Sequence, residues 1–177
     1  MKTTALITSI TLLSTALGAP AKRATPSADQ VSDAIQSWFN DVTNVNNFLN
    51  TAPTLSADNE KTAAEAALVA GNDEPNELMI LAGLGPALGT DGQQAVTLLM
   101  ETFINVPMSL QNIIANPQDG SSQFVQTQLQ QINNARCCNV LPALDKLWPA
   151  AAAAVGIANP EPTVPRPDAC TNGQTVC

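Results

Sequence analysis

A chain of 177 residues with 15 Asp and Glu, 7 Lys and Arg, no His and no Tyr has no imidazole to act as a catalytic base. That excludes Ser-His-Asp and Cys-His catalysis, and it excludes zinc held by histidine. The acidic balance repels nucleic acid and anionic membrane surfaces, and no basic stripe offsets it.

Met1 to Gly18 reads as a secretory signal. Lys2 supplies the positive n-region, Ala5 to Leu17 an apolar core, and Ala16-Leu17-Gly18 the small residues of a cleavage site. The apolar run is shorter than the about 20 residues a membrane span needs. Residues 19–23, Ala-Pro-Ala-Lys22-Arg23, end on a basic pair that resembles a furin/Kex2-type processing site. The working chain is then expected to start at Ala24. Removing 23 of 177 residues leaves 154, with four basic residues (Lys61, Arg136, Lys146, Arg166) against 15 acids, a net charge of −11. No later segment reads as a membrane span, the C-terminus lacks the apolar tail of a lipid anchor, and no Asn-x-Ser/Thr sequon occurs. The expected location is extracellular, with cell-wall association as a finer option.

From Ala24 the pattern is helical throughout, and no strand periodicity appears. Ser27 is a good N-cap for the first helix. Val31, Ile35, Trp38, Val42, Val45 and Leu49 recur at spacings of 4, 3, 4, 3 and 4, one stripe of that helix, and Phe39 and Phe48 widen it. Asp33, Asn40, Asp41, Asn44 and Asn47 fall on the wet side, and Thr51-Ala52-Pro53 ends it. A second, Ala-rich helix is predicted over 57–70, capped by Ser56 and stopped by Gly71. A third starts at Asn72 or Asp73, with Asp73, Glu74 and Glu77 in its acidic first turn beside Pro75.

Gly83-Leu-Gly85-Pro86-Ala-Leu-Gly89 reads as a helix end and turn. It fails as a phosphate loop, having no preceding strand, Walker lysine or ribose-binding acid. A fourth helix from Gly92 carries Val96, Leu99, Phe103, Val106, Leu110 and Ile113 as a second stripe, kinked by Pro107. Residues 116–120 form a turn. A fifth helix covers 121–140 with Phe124, Val125, Leu129, Ile132 and the Cys137-Cys138 pair on its inner face. A sixth starts at Pro142, bends at Pro149 and stops at Gly156. Pro160, Pro162, Pro165 and Pro167 then make residues 158–177 an extended, non-helical strap, and residues 24–157 the helical domain.

Four cysteines in a secreted chain read as two disulfides. Direct bonding of Cys137 to its neighbour Cys138 is strained. Each therefore bonds Cys170 or Cys177, in either order, closing loops that contribute about 3–4 kcal/mol apiece in the chain-entropy model. The fold expected is all-α: a disulfide-tied bundle of five to six helices with a Pro-rich C-terminal strap.

The carboxylate pairs Asp29/Asp33, Asp58/Glu65 and Glu74/Glu77 fall on predicted solvent faces or first helical turns, and Glu101 stands without a basic neighbour. Asn72-Asp73-Glu74-Pro75-Asn76 lacks the rhythm of a calcium loop and reads as a cap. No catalytic, cofactor or metal residue is predicted. The functional signal is the apolar stripes, with Val31, Ile35, Trp38, Val42, Val96, Leu99, Phe103 and Val106 as a candidate face for a fatty acid, a sterol or a hydrophobic surface. The alternative is an effector or elicitor-like protein that docks a host or cell-wall protein.

The opening amphipathic segment Ala28-Asp-Gln-Val-Ser-Asp-Ala-Ile35, followed by Ala-rich amphipathic helices behind a signal, resembles the fungal hydrophobic surface-binding protein A and cell-wall mannoprotein group. The resemblance covers residues 24–157. It implies a helical bundle that adsorbs to hydrophobic surfaces and, in some members, captures lipid between helices. The cysteine pair and the cysteine-bearing strap depart from that group's pattern.

Overall fold

The structure is a computed structural model that describes residues 25–158, 162–173, 175 and 177. The signal, the pro-segment and the processing residues Gly18, Lys22 and Arg23 lie outside the described residues. Among those described, all regular structure is helical: α1 (Ala28–Thr51), α2 (Ala57–Ala82), α3 (Gly89–Thr102), α4 (Asn105–Ala115), α5 (Gln123–Ala135), α6 (Leu141–Ala154) and a single turn, α7 (Asp168–Thr171). The expected all-α, disulfide-tied bundle is what the chain forms. No helix among the described residues is long and apolar enough to cross a membrane.

Ser27 closes a reciprocal capping box with Gln30 at the start of α1. Ser56 makes no side-chain cap for α2. The oxygen comes from the 116–120 turn instead, where Asp119 Oδ1 accepts from the Ala57 N–H at 3.1 Å. That turn is pressed against the α1–α2 connection. Gly120 donates to the Leu55 carbonyl at 2.8 Å, and a Cβ at residue 120 would stand 1.7 Å from the Ala52 oxygen, so only glycine fits.

Three predicted boundaries move. The second and third helices are one, α2, running through both Gly71 and Pro75. Gly71 is buried rather than terminal. Val106 and Leu110 of α4 come within 4.0 Å of where its Cβ would be, so its smallness serves helix–helix approach. The predicted kinked fourth helix is two, α3 and α4, separated at Phe103 and Ile104. The break precedes Pro107 because proline cannot donate to the Phe103 carbonyl four residues back and its ring clashes there. Helices five and six are joined through a π turn, Arg136–Val140. The strap is not wholly extended either, since α7 carries Cys170.

α1 and α2 form an antiparallel hairpin, joined over residues 52–56. α3 packs on α6 and α4 on α5, so the rest of the chain covers this hairpin in two halves. The apolar interior divides accordingly. One cluster holds Val31, Ile35, Trp38, Val42, Leu78, Leu81, Leu99, Phe103, Leu144 and Trp148, with Val164 of the strap packed on it. Trp38 stands at its centre, its ring 5.8 Å from Phe103 and 6.3 Å edge-on from Trp148. The other cluster holds Val45, Leu49, Ala64, Ala67, Leu110, Ile113, Val125 and Ile132. Each stripe predicted from spacing runs through both.

The disulfides are Cys137–Cys170 and Cys138–Cys177, each with a Cα–Cα distance of 5.3 Å, one of the two pairings left open by the sequence. Both start from the π turn and draw the strap back across α1.

Candidate functional site

The waist between the two apolar clusters is polar and buried. Arg136, on the π turn, has no solvent exposure and pairs with Glu74 of α2 at 3.2 Å. The same guanidinium donates to the Val42 carbonyl at 3.3 Å and to Asn46 Oδ1 at 3.1 Å, both on α1. Trp38 Nε1 donates to the other Glu74 oxygen at 3.2 Å. Asn46 Nδ2 in turn donates to the Pro165 carbonyl at 3.0 Å, which carries the network out to the strap. Burial pushes the Glu74 carboxyl up from its ordinary range, and the Arg136 charge and the Trp38 N–H pull against it. Arg136 thus touches α1 and α2 from the α5–α6 side, and a network of this kind fixes how three elements meet.

This overturns the reading of Glu74 and Glu77 as exposed first-turn carboxylates: both are buried. They are not in a first turn, because α2 is continuous past Gly71. Glu77 projects beside Asp73 toward α1, where Asp41 is half-buried rather than on the wet side. Carboxylate oxygens of Asp41, Asp73 and Glu77 lie within 4.8 Å of one another. Burial first, and then repulsion from Glu77, Asp73 and Glu74, pushes the Asp41 carboxyl up to about 7. Burial also raises Glu77. Asp29, Asp33, Asp58, Glu65 and Glu101 are exposed, Glu65 in an ion pair with Lys61.

Glu60, which no sequence signal marked, is a separate buried acid. It lies under the 116–120 turn with both oxygens unpaired, and burial together with Asp119 raises it to about 7. A folded-state value above the unfolded 4.5 means that the folded chain holds this proton more tightly. Its stabilising effect is full below about pH 4.5 and is lost as pH rises through 7. Glu60 should therefore make the melting temperature about 5–10 °C higher at pH 5 than at pH 8, and Glu60→Gln should remove that share in a thermal melt while leaving the share owed to Asp41.

The candidate apolar face does not reach solvent. Val31, Ile35, Trp38, Val42, Leu99, Phe103 and Val106 are buried and Val96 is half-buried, all packed against neighbouring helices. The apolar side chains that do reach solvent are others. Met100, Ile104 and Met108 follow one another at steps of four across the α3–α4 break, each more than half exposed. Met79 and Ile80 are exposed at the C-terminal end of α2, and their buried neighbours Leu78 and Leu81 share a cluster with Leu99 and Phe103. Val69, near the middle of α2, is exposed as well, and Met108 lies between Val106 and Leu110, the two α4 residues beside Gly71, so the exposed apolar side chains run along the bundle rather than gathering at one end. A stripe search finds core and passes over them, because the ridge is the back of the same helices.

Two of the surface clefts lie beside the strap. One, of about 670 Å³, lies between α1, α5 and α7 and is lined mainly by amides, among them Asn50, Gln126, Gln130 and Asn133. The other, of about 430 Å³, lies between α6 and the strap at Trp148, Pro149, Ile157 and Val164.

The site and fold define a helical bundle with two disulfides, a buried charged waist and an exposed Met/Ile ridge. Comparison with protein-family models, with curated proteins and with solved structures finds no match.

Proposed function

We propose that this chain is a secreted, non-enzymatic protein that adsorbs to hydrophobic surfaces through the exposed ridge of Met100, Ile104 and Met108. The observation that carries this reading is the contrast between interior and ridge. The inward stripes are filled by neighbouring helices, whereas Met100, Ile104 and Met108 stand exposed at steps of four along the α3–α4 segment. Unbranched methionine adapts to irregular apolar surfaces. An exposed apolar patch framed by polar residues is the usual mark of an interaction site. Two disulfides suit an oxidising compartment and would hold the bundle together at an interface that tends to unfold adsorbed chains.

The test is adsorption of the purified chain to octadecyl-coated particles from buffered saline. The triple variant Met100→Gln, Ile104→Gln, Met108→Gln touches only exposed positions and should keep the helical circular dichroism of the parent. Its partition onto the particles should fall at least about tenfold, equivalent to about 1.4 kcal/mol. Unchanged adsorption would overturn the proposal. So would saturable binding of one fatty acid or sterol per chain in solution, since that requires an enclosed cavity.

A further inference from the structure

The acidic group between α1 and α2 has features that surface charge does not explain. Its oxygens come from two helices: Asp41 from α1, and Asp73 and Glu77 one turn apart on α2. Glu77 is only 5% exposed, and its Oε2 has no hydrogen-bond partner among the described residues. Asp41 Oδ2 is likewise buried and unpartnered. No ion pair to any of the three occurs among the described residues. Lys61 pairs with Glu65, Arg166 with Asp145, and Arg136 with Glu74, directly behind the group. Ser37 hydrogen-bonds the Glu77 carboxylate and Asn76 Nδ2 donates to Asp73 Oδ1 at 2.6 Å, but Asp41 Oδ2 and Glu77 Oε2 keep no donor, and buried oxygens of this kind are costly unless they take up a proton or a cation.

The geometry suits a cation. The outer side opens to a cleft of about 500 Å³ where Asn44 and Asn72 stand beside Asp41 and Asp73, leaving room for water ligands. An all-oxygen donor set selects hard cations. Calcium, at 2.3–2.6 Å from each ligand, accommodates oxygens up to about 4.6–5.2 Å apart, whereas magnesium demands a tighter octahedron spanning about 4.2 Å. Oxygens within 4.8 Å of one another fall inside calcium's span without further closure.

We propose that Asp41, Asp73 and Glu77 form a binding site for one divalent cation, calcium by its donor chemistry, which ties α1 to α2. The ion would brace the hairpin one step outward from the Arg136–Glu74 pair. This inference is independent of the surface-adsorption reading.

The test uses the full chain, freed of metal by a chelator, titrated with calcium chloride at pH 7.5 by isothermal calorimetry and by thermal melting. Binding should saturate at one ion per chain with a dissociation constant of about 0.1–1 mM, the class of extracellular modules. At 10 mM calcium the ratio of folded to unfolded chain should rise roughly 10- to 100-fold. Asp73 is exposed, so Asp73→Asn should fold normally and weaken binding at least about tenfold, and Glu77→Gln should abolish it. Should Glu77→Gln fail to fold, Asp73→Asn decides alone. No saturable binding up to 10 mM, equal binding by Asp73→Asn, or the same thermal shift from sodium chloride of matched ionic strength would each overturn the site. Magnesium binding as tightly as calcium would overturn the assignment of the ion.

Discussion

Arg136→Met should destabilise the bundle by about 3–5 kcal/mol, the largest effect expected of any single substitution in the helices. The cost does not come from losing an attraction alone. Removing the guanidinium leaves the Glu74 carboxylate buried among Trp38, Val42 and Asn46 with only the indole N–H to answer it. It also leaves Asn46 Oδ1 without the guanidinium donor and the Val42 carbonyl with its helical bond alone. The double replacement Arg136→Met with Glu74→Met should recover much of the loss, because a well-packed apolar pair is often as stable as a buried ion pair. Guanidinium unfolding of the two single variants and the double variant at pH 7 measures this directly. A second signature separates charge from shape. Glu74 carries a raised value even with its partner present, so at pH 4.5 it takes up a proton easily once Arg136 is gone. The penalty of Arg136→Met should accordingly shrink between pH 7 and pH 4.5. An equal penalty at both would mean that lost packing, not an orphaned charge, dominates.

The same pair shows where reading the sequence stops. The stripes were legible because spacings of three and four put Val31 to Leu49, and Leu99 to Ile113, on one side of a helix whatever lies opposite. What lies opposite was not legible. Glu74 sits four residues before Leu78 and seven before Leu81, and Arg136 four after Ile132 and four before Val140, all buried. Both charges therefore occupy core positions of otherwise apolar stripes, which is the signal that could have marked them. It was masked at Glu74 because Gly71 and Pro75 resemble a helix end and a helix start. Gly71 is instead a contact point for α4, a tertiary requirement that local propensity cannot express. Likewise Asp41 meets Asp73 and Glu77 only when the α1–α2 hairpin closes, 32 and 36 residues away along the chain. The exposed ridge was missed for the converse reason, since Met100, Ile104 and Met108 lie off the stripe and read as scattered surface residues. The cysteines were legible in number and in tying the strap to one helix. The choice between two pairings depended on the π turn and on α7, neither of which the composition announces.

That pairing makes the second large effect. Cutting both disulfides, by Ser at all four cysteines, should cost about 6 kcal/mol, while cutting either alone should cost only about 2.5 kcal/mol, less than half. The asymmetry follows from the overlap of the two interleaved loops. Cys137–Cys170 and Cys138–Cys177 close loops of 33 and 39 residues that share almost all their chain. With one bond intact, the other closes only the short circuit made by the seven steps from 170 to 177 and the single step from 137 to 138. Loop-closure entropy grows with the logarithm of loop length, so the last bond removed frees the long loop and costs more than the first. The folded state adds a local readout. The strap has further anchors in Val164 on the Trp148 cluster, the Asn46–Pro165 hydrogen bond at 3.0 Å, the Asp168 N–H to Asn50 Oδ1 at 2.9 Å and the Arg166–Asp145 ion pair. With either bond cut these contacts should keep the strap docked and Trp148 fluorescence native-like. With both cut, the strap should fray before the bundle melts, exposing Trp148 to quencher at denaturant concentrations that leave the helical circular dichroism unchanged. If the single and double variants instead lose stability in simple proportion, the bonds act through strain or packing rather than through the shared loop.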